Sequence, residues 1–341
     1  MKTIRQCGVL LLGLGVAACA LDTTGLGPGT PAPSSGSSTA GPQPTTDPES
    51  DTSTGAADAL DSGTTTNEPT TSGNLPPIES TSQGDTEGDS STGTPDSTLV
   101  DTGLLARWTI DDTTVGQTPT VVSDTTALPL DLDLLVHSGS PQLVTLDGHQ
   151  GLSWSTQGED GRAMAWTNDT KLTTDLDGSH QITLELVVSV QTVSGWASRL
   201  LHIGTANRTD LAVGAASLDE LQIRWDNVHD TRLFAADLDG ERQVIHVVLD
   251  TDHDDPEERI LAYIDGVPLA PAHIHPSEPA FGEGMTLSSG SALVLGNRTD
   301  GDRSFSGQLY YAAIYTEALD PDEVMLNTSI LAQDDDSPTT R

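Results

Sequence analysis

Ile182, Leu184, Leu186, Val188 and Val190 alternate with Thr183, Glu185, Ser189 and Gln191. A period of two places the aliphatic set on one face of a β-strand, and Val187 is the single break in the pattern. From Leu104 onward, short apolar runs recur every eight to fifteen residues or so, separated by Gly, Asp and Asn turns. This rhythm predicts an all-β sandwich or barrel. Further strands are predicted over 104–110, 143–146, 199–203, 211–215, 221–225, 243–249, 260–264, 292–295 and 308–315. Trp108, Trp154 and Trp166 lie in strand-like sequence and are expected in the core.

Two local signals sharpen this outline. Asp265-Gly266, between 260–264 and 267–269, marks a tight hairpin, because both residues tolerate positive φ. Asp320, Pro321 and Glu323 have the spacing of an N-cap, a first helical residue and a capping-box partner, ahead of the apolar patch Val324-Met325-Leu326. They predict one helix near the end of the chain.

The pattern is absent before about residue 100. Residues 19–99 are dominated by Thr, Ser, Gly, Pro and acidic residues, with no core-forming period. Such a segment cannot offset the entropy of ordering, so it is expected to be a disordered tether with an r.m.s. span of about 50 Å. At its head, Lys2 and Arg5 precede an apolar run from Cys7 to Ala18, too short to span a bilayer, which reads as a signal peptide over 1–18. The run ends Val16-Ala17-Ala18-Cys19, which resembles the lipobox of bacterial lipoproteins. Cys19 is thus the predicted lipidation site and the only membrane attachment. Ala20 at the next position points to the outer membrane by the sorting rule of such lipoproteins. The folded domain is assigned to 100–333 and a disordered tail to 334–341.

Charge narrows the partners. With 14 Lys and Arg against 51 Asp and Glu, the chain carries a formal charge of -37, and no basic residue lies between Arg5 and Arg107. That field excludes nucleic acid and anionic membrane surfaces as partners. The two cysteines, Cys7 and Cys19, lie outside the folded region, which therefore contains no disulfide and no cysteine metal site.

Leu104-Leu105-Ala106-Arg107-Trp108-Thr109-Ile110-Asp111-Asp112 resembles the opening strand of laminin-G-like domains, and Val122-Ser123-Asp124-Thr125-Thr126 their following turn. The strands at 182–190, 200–204, 244–250 and 261–266 are similar to the family's next elements. The closing segments Leu293-Val294-Leu295-Gly296, Phe305-Ser306-Gly307-Gln308-Leu309 and Asp322-Glu323-Val324 resemble its end. The resemblance implies an antiparallel jelly-roll β-sandwich of the concanavalin A-like kind.

That fold hosts both lectin-like modules and glycoside hydrolases. A hydrolase needs two carboxylates facing across a cleft. Glu185 stands alone in its strand, and Asp237-Leu238-Asp239-Gly240-Glu241 reads as a loop, so a noncatalytic binding module for glycan or protein is expected. A glycoside hydrolase and a ligand-free structural envelope protein are the alternatives. Calcium is the one cofactor that the resemblance brings in, through acidic positions matched by Asp111, Asp112 and Asp124. Tyr310 and Tyr311 stand where the family's closing motif supplies acids. Asp250, Asp252 and Asp254 alternate as in a calcium loop but lack its Gly and final Glu; the expectation is weak or no calcium affinity. His273 and His275 share a strand face but have no third ligand. Ligand contacts are expected from Trp196, in the loop 194–198, and from Arg224, Trp225 and Asn227 at a strand end, because aromatic rings stack on sugars and guanidinium and amide groups supply hydrogen bonds.

Overall fold

The computed structural model describes residues 98–111, 118–158, 160–193, 198–238, 240–276 and 278–337. Cys19, the tether up to residue 97, Asp112, Trp196 and Asp239 lie outside these residues, whereas Leu99, assigned to the tether, is buried in the fold.

In chain order the strands are β1 (Leu104–Thr109), β2 (Val121–Val122), β3 (Leu132–Leu135), β4 (Gln142–Leu146), β5 (His149–Trp154), β6 (Arg162–Trp166), β7 (Gln181–Thr192), β8 (Ser198–Gly204) and β9 (Thr209–Ser217). Then come β10 (Glu220–Trp225), β11 (Val228–Ala235), β12 (Arg242–Asp250), β13 (Ile260–Ile264), β14 (Val267–Pro268), β15 (Pro271–Ile274), β16 (Ala292–Leu295) and β17 (Ser306–Tyr315). Helix α1 (Lys171–Leu176) precedes β7, and α2 (Pro321–Leu331) follows β17.

The strands form two antiparallel sheets, as the periodicity predicts. One has eight strands in the order β14-β13-β12-β7-β17-β5-β4, with β1 paired to β17 beside β5; the other has nine, ordered β15-β11-β10-β9-β8-β16-β6-β3-β2. Ile182, Leu184, Leu186, Val188 and Val190 of β7 pack between the sheets against Leu293, Leu295, Val213 and Ile223. Trp108 and Trp154 are buried there, their indole N–H groups donating to Leu130 O at 2.8 Å and Gly161 O at 2.9 Å. Gly296, at φ 75°, is required beside Trp154: a Cβ would lie 2.1 Å from the indole.

The hairpin at Asp265-Gly266 forms with φ of 51° and 75°, and Asp265 Oδ1 accepts from Val244 N at 2.9 Å. Helix α2 begins with the complete capping box of Asp320 and Glu323. Its Val324 and Leu331 lie on the outer face of the eight-stranded sheet, with Leu99, Tyr311 and Tyr315. Val187 belongs to this second apolar cluster, which explains its break from alternation: β7 is covered on both faces.

Three expectations are corrected. Trp166, expected in the core, is 58% exposed at the end of β6. Trp225, expected to contact ligand, is 2% exposed and lies in the inter-sheet core, because β10 alternates Leu221, Ile223 and Trp225 inward with Gln222 and Arg224 outward. The fold also extends past residue 333: Asp335 is buried, bonded to His149 Nδ1 at 2.5 Å and to Arg242 Nη2 at 2.8 Å.

Candidate functional site

The outer face of the nine-stranded sheet is built by strand pairing. Met164 of β6 lies opposite Val294 of β16, Val294 opposite His202 of β8, His202 opposite Ala212 of β9, and Ala212 opposite Arg224 of β10. The neighbouring row places Arg199, Gly214 and Gln222 side by side. Arg199 Nη1 donates to Gln222 Oε1 at 3.1 Å, and Gly214 lets the guanidinium lie flat, since a Cβ there would be 3.1 Å from Nη1. At the other end Trp166 lies opposite Ala292. Met164, Ala292 and Val294 form a small apolar cluster on this face. The face thus changes from an aromatic and apolar end to an arginine and glutamine end over about 19 Å, four inter-strand spacings.

His202 registers the polarity of the cationic end. Burial, then Arg199 and Arg298, push its pKa down to about 3, so it is neutral at physiological pH. Its Nδ1 and Nε2 face Thr299 Oγ1 at 3.4 Å and Thr209 Oγ1 at 3.3 Å. Asp210, beside it in the fold, is fully engaged: its oxygens accept from Ser288 N and Oγ, Ser291 Oγ and Arg208 Nε at 2.5–3.2 Å.

Of the expected ligand contacts, the structure places Arg224 on this face and Asn227 in the β10–β11 turn. Asn227 has φ 61°, and its Oδ1 accepts from Thr209 N at 3.3 Å, so its amide oxygen serves the turn. Trp166 was missed because Arg162-Ala163-Met164-Ala165-Trp166 gives no apolar contrast between its faces. Its position at a strand end was the available signal.

The acidic positions are scattered. Asp124 is buried; its oxygens accept from Arg107 N, Thr126 N and Leu130 N at 2.8–3.1 Å and from Lys171 Nζ at 2.5 Å. Burial raises its pKa, but Lys171 and the backbone donors outweigh this and hold the carboxyl below its ordinary value. Asp111 is exposed and accepts from Gln150 Nε2 at 3.2 Å. Asp250 accepts from Gln181 Nε2 at 3.2 Å, and Asp252 faces His180 at 3.0 Å. Asp254 is exposed in the same connection, whose carbonyls at His253 and Asp254 receive Arg259 at 3.0 and 3.4 Å. A guanidinium therefore occupies oxygens that a loop-bound cation would use. His149, Asp335 and Asp336 form a separate group whose ligand atoms lie within 4.8 Å of one another. In that group Arg242 already neutralises Asp335.

A third constellation lies beneath α2. Glu185, fully buried, accepts from Asn327 Nδ2 at 2.9 Å, Tyr311 OH at 2.9 Å and Tyr315 OH at 3.0 Å, and pairs with His246 Nε2 at 2.7 Å. Arg107 Nε donates to Tyr311 OH at 3.0 Å, and Asn327 Oδ1 accepts from Val100 N at 2.8 Å. Burial raises the Glu185 pKa, but the His246, Asn327 and Tyr311 hydrogen bonds outweigh this and hold it below the ordinary value. The Tyr311 and Tyr315 hydroxyls are pushed up by burial and by Glu185.

No curated protein matches the chain. Among solved structures it is similar to Trypanosoma rangeli sialidase in complex with the inhibitor DANA, at 14% identity and a TM-score of 0.49, over 69% of this chain and 34% of that one. It is also similar to the binding domain of Botulinum neurotoxin DC in complex with rat synaptotagmin II, at 12% identity and a TM-score of 0.46, over 67% and 51% of the two chains. The chain thus spans about a third of the sialidase and half of the toxin domain. Residues 141–325, more than half of the sequence, match the family Laminin_G_3 of the concanavalin A-like lectin/glucanases superfamily. Together with the two antiparallel sheets, this match means that the chain belongs to the laminin-G-like branch of the concanavalin A-like lectin/glucanase superfamily.

Proposed function

We propose that the domain is a noncatalytic glycan-binding module, carried on the tether 19–99 from a lipid on Cys19 in the bacterial envelope. The observation that carries this reading is Trp166, 58% exposed at one end of the outer face of the nine-stranded sheet, next to the buried Met164–Ala292–Val294 cluster and with the buried Arg199–Gln222–Arg224 group at the other end. An exposed indole takes the apolar face of a pyranose. The buried carboxylates Asp210 and Glu185 are each saturated by donors, which favours binding over acid–base chemistry.

The test is a glycan array probed with the soluble Cys19→Ser chain, followed by titration of any hit against Trp166→Ala. The expected result is saturable binding weakened by about tenfold or more in the variant. Array-wide silence, or binding unaltered in Trp166→Ala, would remove this face as the glycan site. Release of reducing sugar from a bound glycan would favour the hydrolase. Capture of a surface protein without glycan would favour the protein-ligand alternative.

A further inference from the structure

The exposed ring of Trp166 has two unlike flanks. On one side the strand pairing runs to Ala292 of β16, which is buried, and then to Gly204 of β8. The Gly204 carbonyl accepts from Thr299 Oγ1 at 2.8 Å, so the segment after β16 lies over that part of the sheet. On the other side is β3. Its Leu132 and Leu134 are in the core between the sheets, which turns the exposed Asp133 to the outer face, opposite Met164. The same register sets the exposed Asp131 level with Trp166 and Asp133 diagonal to it. Opposite and diagonal neighbours on one face stand about 5 Å and about 7–8 Å apart, within reach of an aromatic side chain.

This open flank carries acid without a counter-ion. Asp131 Oδ1 accepts from Asp124 N at 2.9 Å, and among the described residues neither Asp131 nor Asp133 is in an ion pair. The two cations that flank Trp166 in sequence are held elsewhere, Lys171 Nζ on Asp124 at 2.5 Å and Arg162 Nη1 on Asp160 O at 2.7 Å. An indole face attracts a cation as well as an apolar ring, and a carboxylate beside it adds to that preference. A neutral sugar would leave the acid uncompensated, and an acidic sugar would be repelled by it and by the chain's formal charge of -37. Resting on the glycan-binding reading, we propose that this flank selects a sugar with a free amino group, in its ammonium form: the pyranose stacks on Trp166, the ammonium group pairs with Asp133, and Asp131 adds to the field.

The test is calorimetric titration of the Cys19→Ser chain at about pH 6, where the amine is protonated, with three tetrasaccharides of one linkage: the glucosamine tetramer, its N-acetylated form and cellotetraose. The glucosamine tetramer is expected to bind about tenfold more tightly than either neutral one. Asp133→Asn is expected to leave Tm unchanged and to remove most of that difference without weakening the neutral sugars. Asp254→Asn, the same loss of charge in the connection after β12, is expected to alter nothing. Equal affinity for all three, lost in Trp166→Ala, would overturn the amino-sugar inference and leave the glycan-binding reading standing. A preference that persists in Asp133→Asn, or that falls as far in Asp254→Asn, would overturn it as mere attraction to an acidic chain. Tetralysine binding as tightly as the glucosamine tetramer would overturn it in favour of a basic peptide. No binding of the glucosamine tetramer at tens of millimolar would overturn it too, and the glycan array then decides separately whether the glycan-binding reading stands.

Discussion

The two sheets treat their outer faces in opposite ways. On the eight-stranded sheet, α2 and the segment Leu99–Val100 cover the strands, and the residues beneath them include a buried carboxylate with four partners. On the nine-stranded sheet the outer face ends in the exposed indole of Trp166, while the Arg199 and Gln222 side chains are buried toward its other end. Polar groups on a covered face must be satisfied by the protein itself, because water is excluded. The first face holds the fold together, and the second leaves the Trp166 ring open to water.

Four measurements would break or sharpen that contrast. The largest effect is expected for Glu185→Ala: losing the carboxylate strands His246, Asn327, both tyrosine hydroxyls and the Arg107 charge, and chemical denaturation should show a loss of about 3–5 kcal/mol. A value within error of wild type would mean that the covered face is not a stability element. Next is acid sensitivity. Glu185 and Asp124 have folded pKa values below their ordinary 4.5 and 3.8. Groups depressed by folding contribute fully above the unfolded value, and that contribution is lost as pH falls through the folded value. Tm should therefore be flat on the Glu185 account above about pH 5 and fall below pH 4.5, with a shallower fall in Glu185→Gln. Asp320→Ala, which removes the N-cap of the covering helix, should cost about 1 kcal/mol in the same denaturation assay. Smallest is Trp166→Ala on the uncovered face, whose stability should stay within about 0.5 kcal/mol of wild type while glycan affinity falls.

Much of the strand framework could be read from the chain. In β7 aliphatic alternation predicts the strand and in β12 a near-continuous apolar run does, and the structure extends each by only a few residues. The strands β2, β3, β5, β6, β11 and β15 fall outside the predicted ranges. His149-Gln150-Gly151 opens β5 with residues of low strand preference, and pairing with β17 and β4 holds it in place. Helix α1 has six residues and no side-chain cap, so it leaves no local signal; Leu172 and Leu176 anchor it in the core. The site was readable only in part. Trp225 is buried and Trp166 exposed, the reverse of the expectation, because a strand's alternation says which residues share a face but not which face meets water.

The sequence by itself determined the class of fold, the Asp265-Gly266 hairpin, the capped last helix and the stretch between Arg5 and Arg107 that has no basic residue. These follow from φ preferences, capping geometry, periodicity and composition, all of which act over a few residues or over the whole chain. Only the tertiary structure decided that Glu185 is buried and satisfied, that Trp166 faces outward, and that Arg107 and Asp336 line one cleft. Each of these depends on partners more than a hundred residues distant or on which sheet face a helix covers, and no local preference encodes that choice.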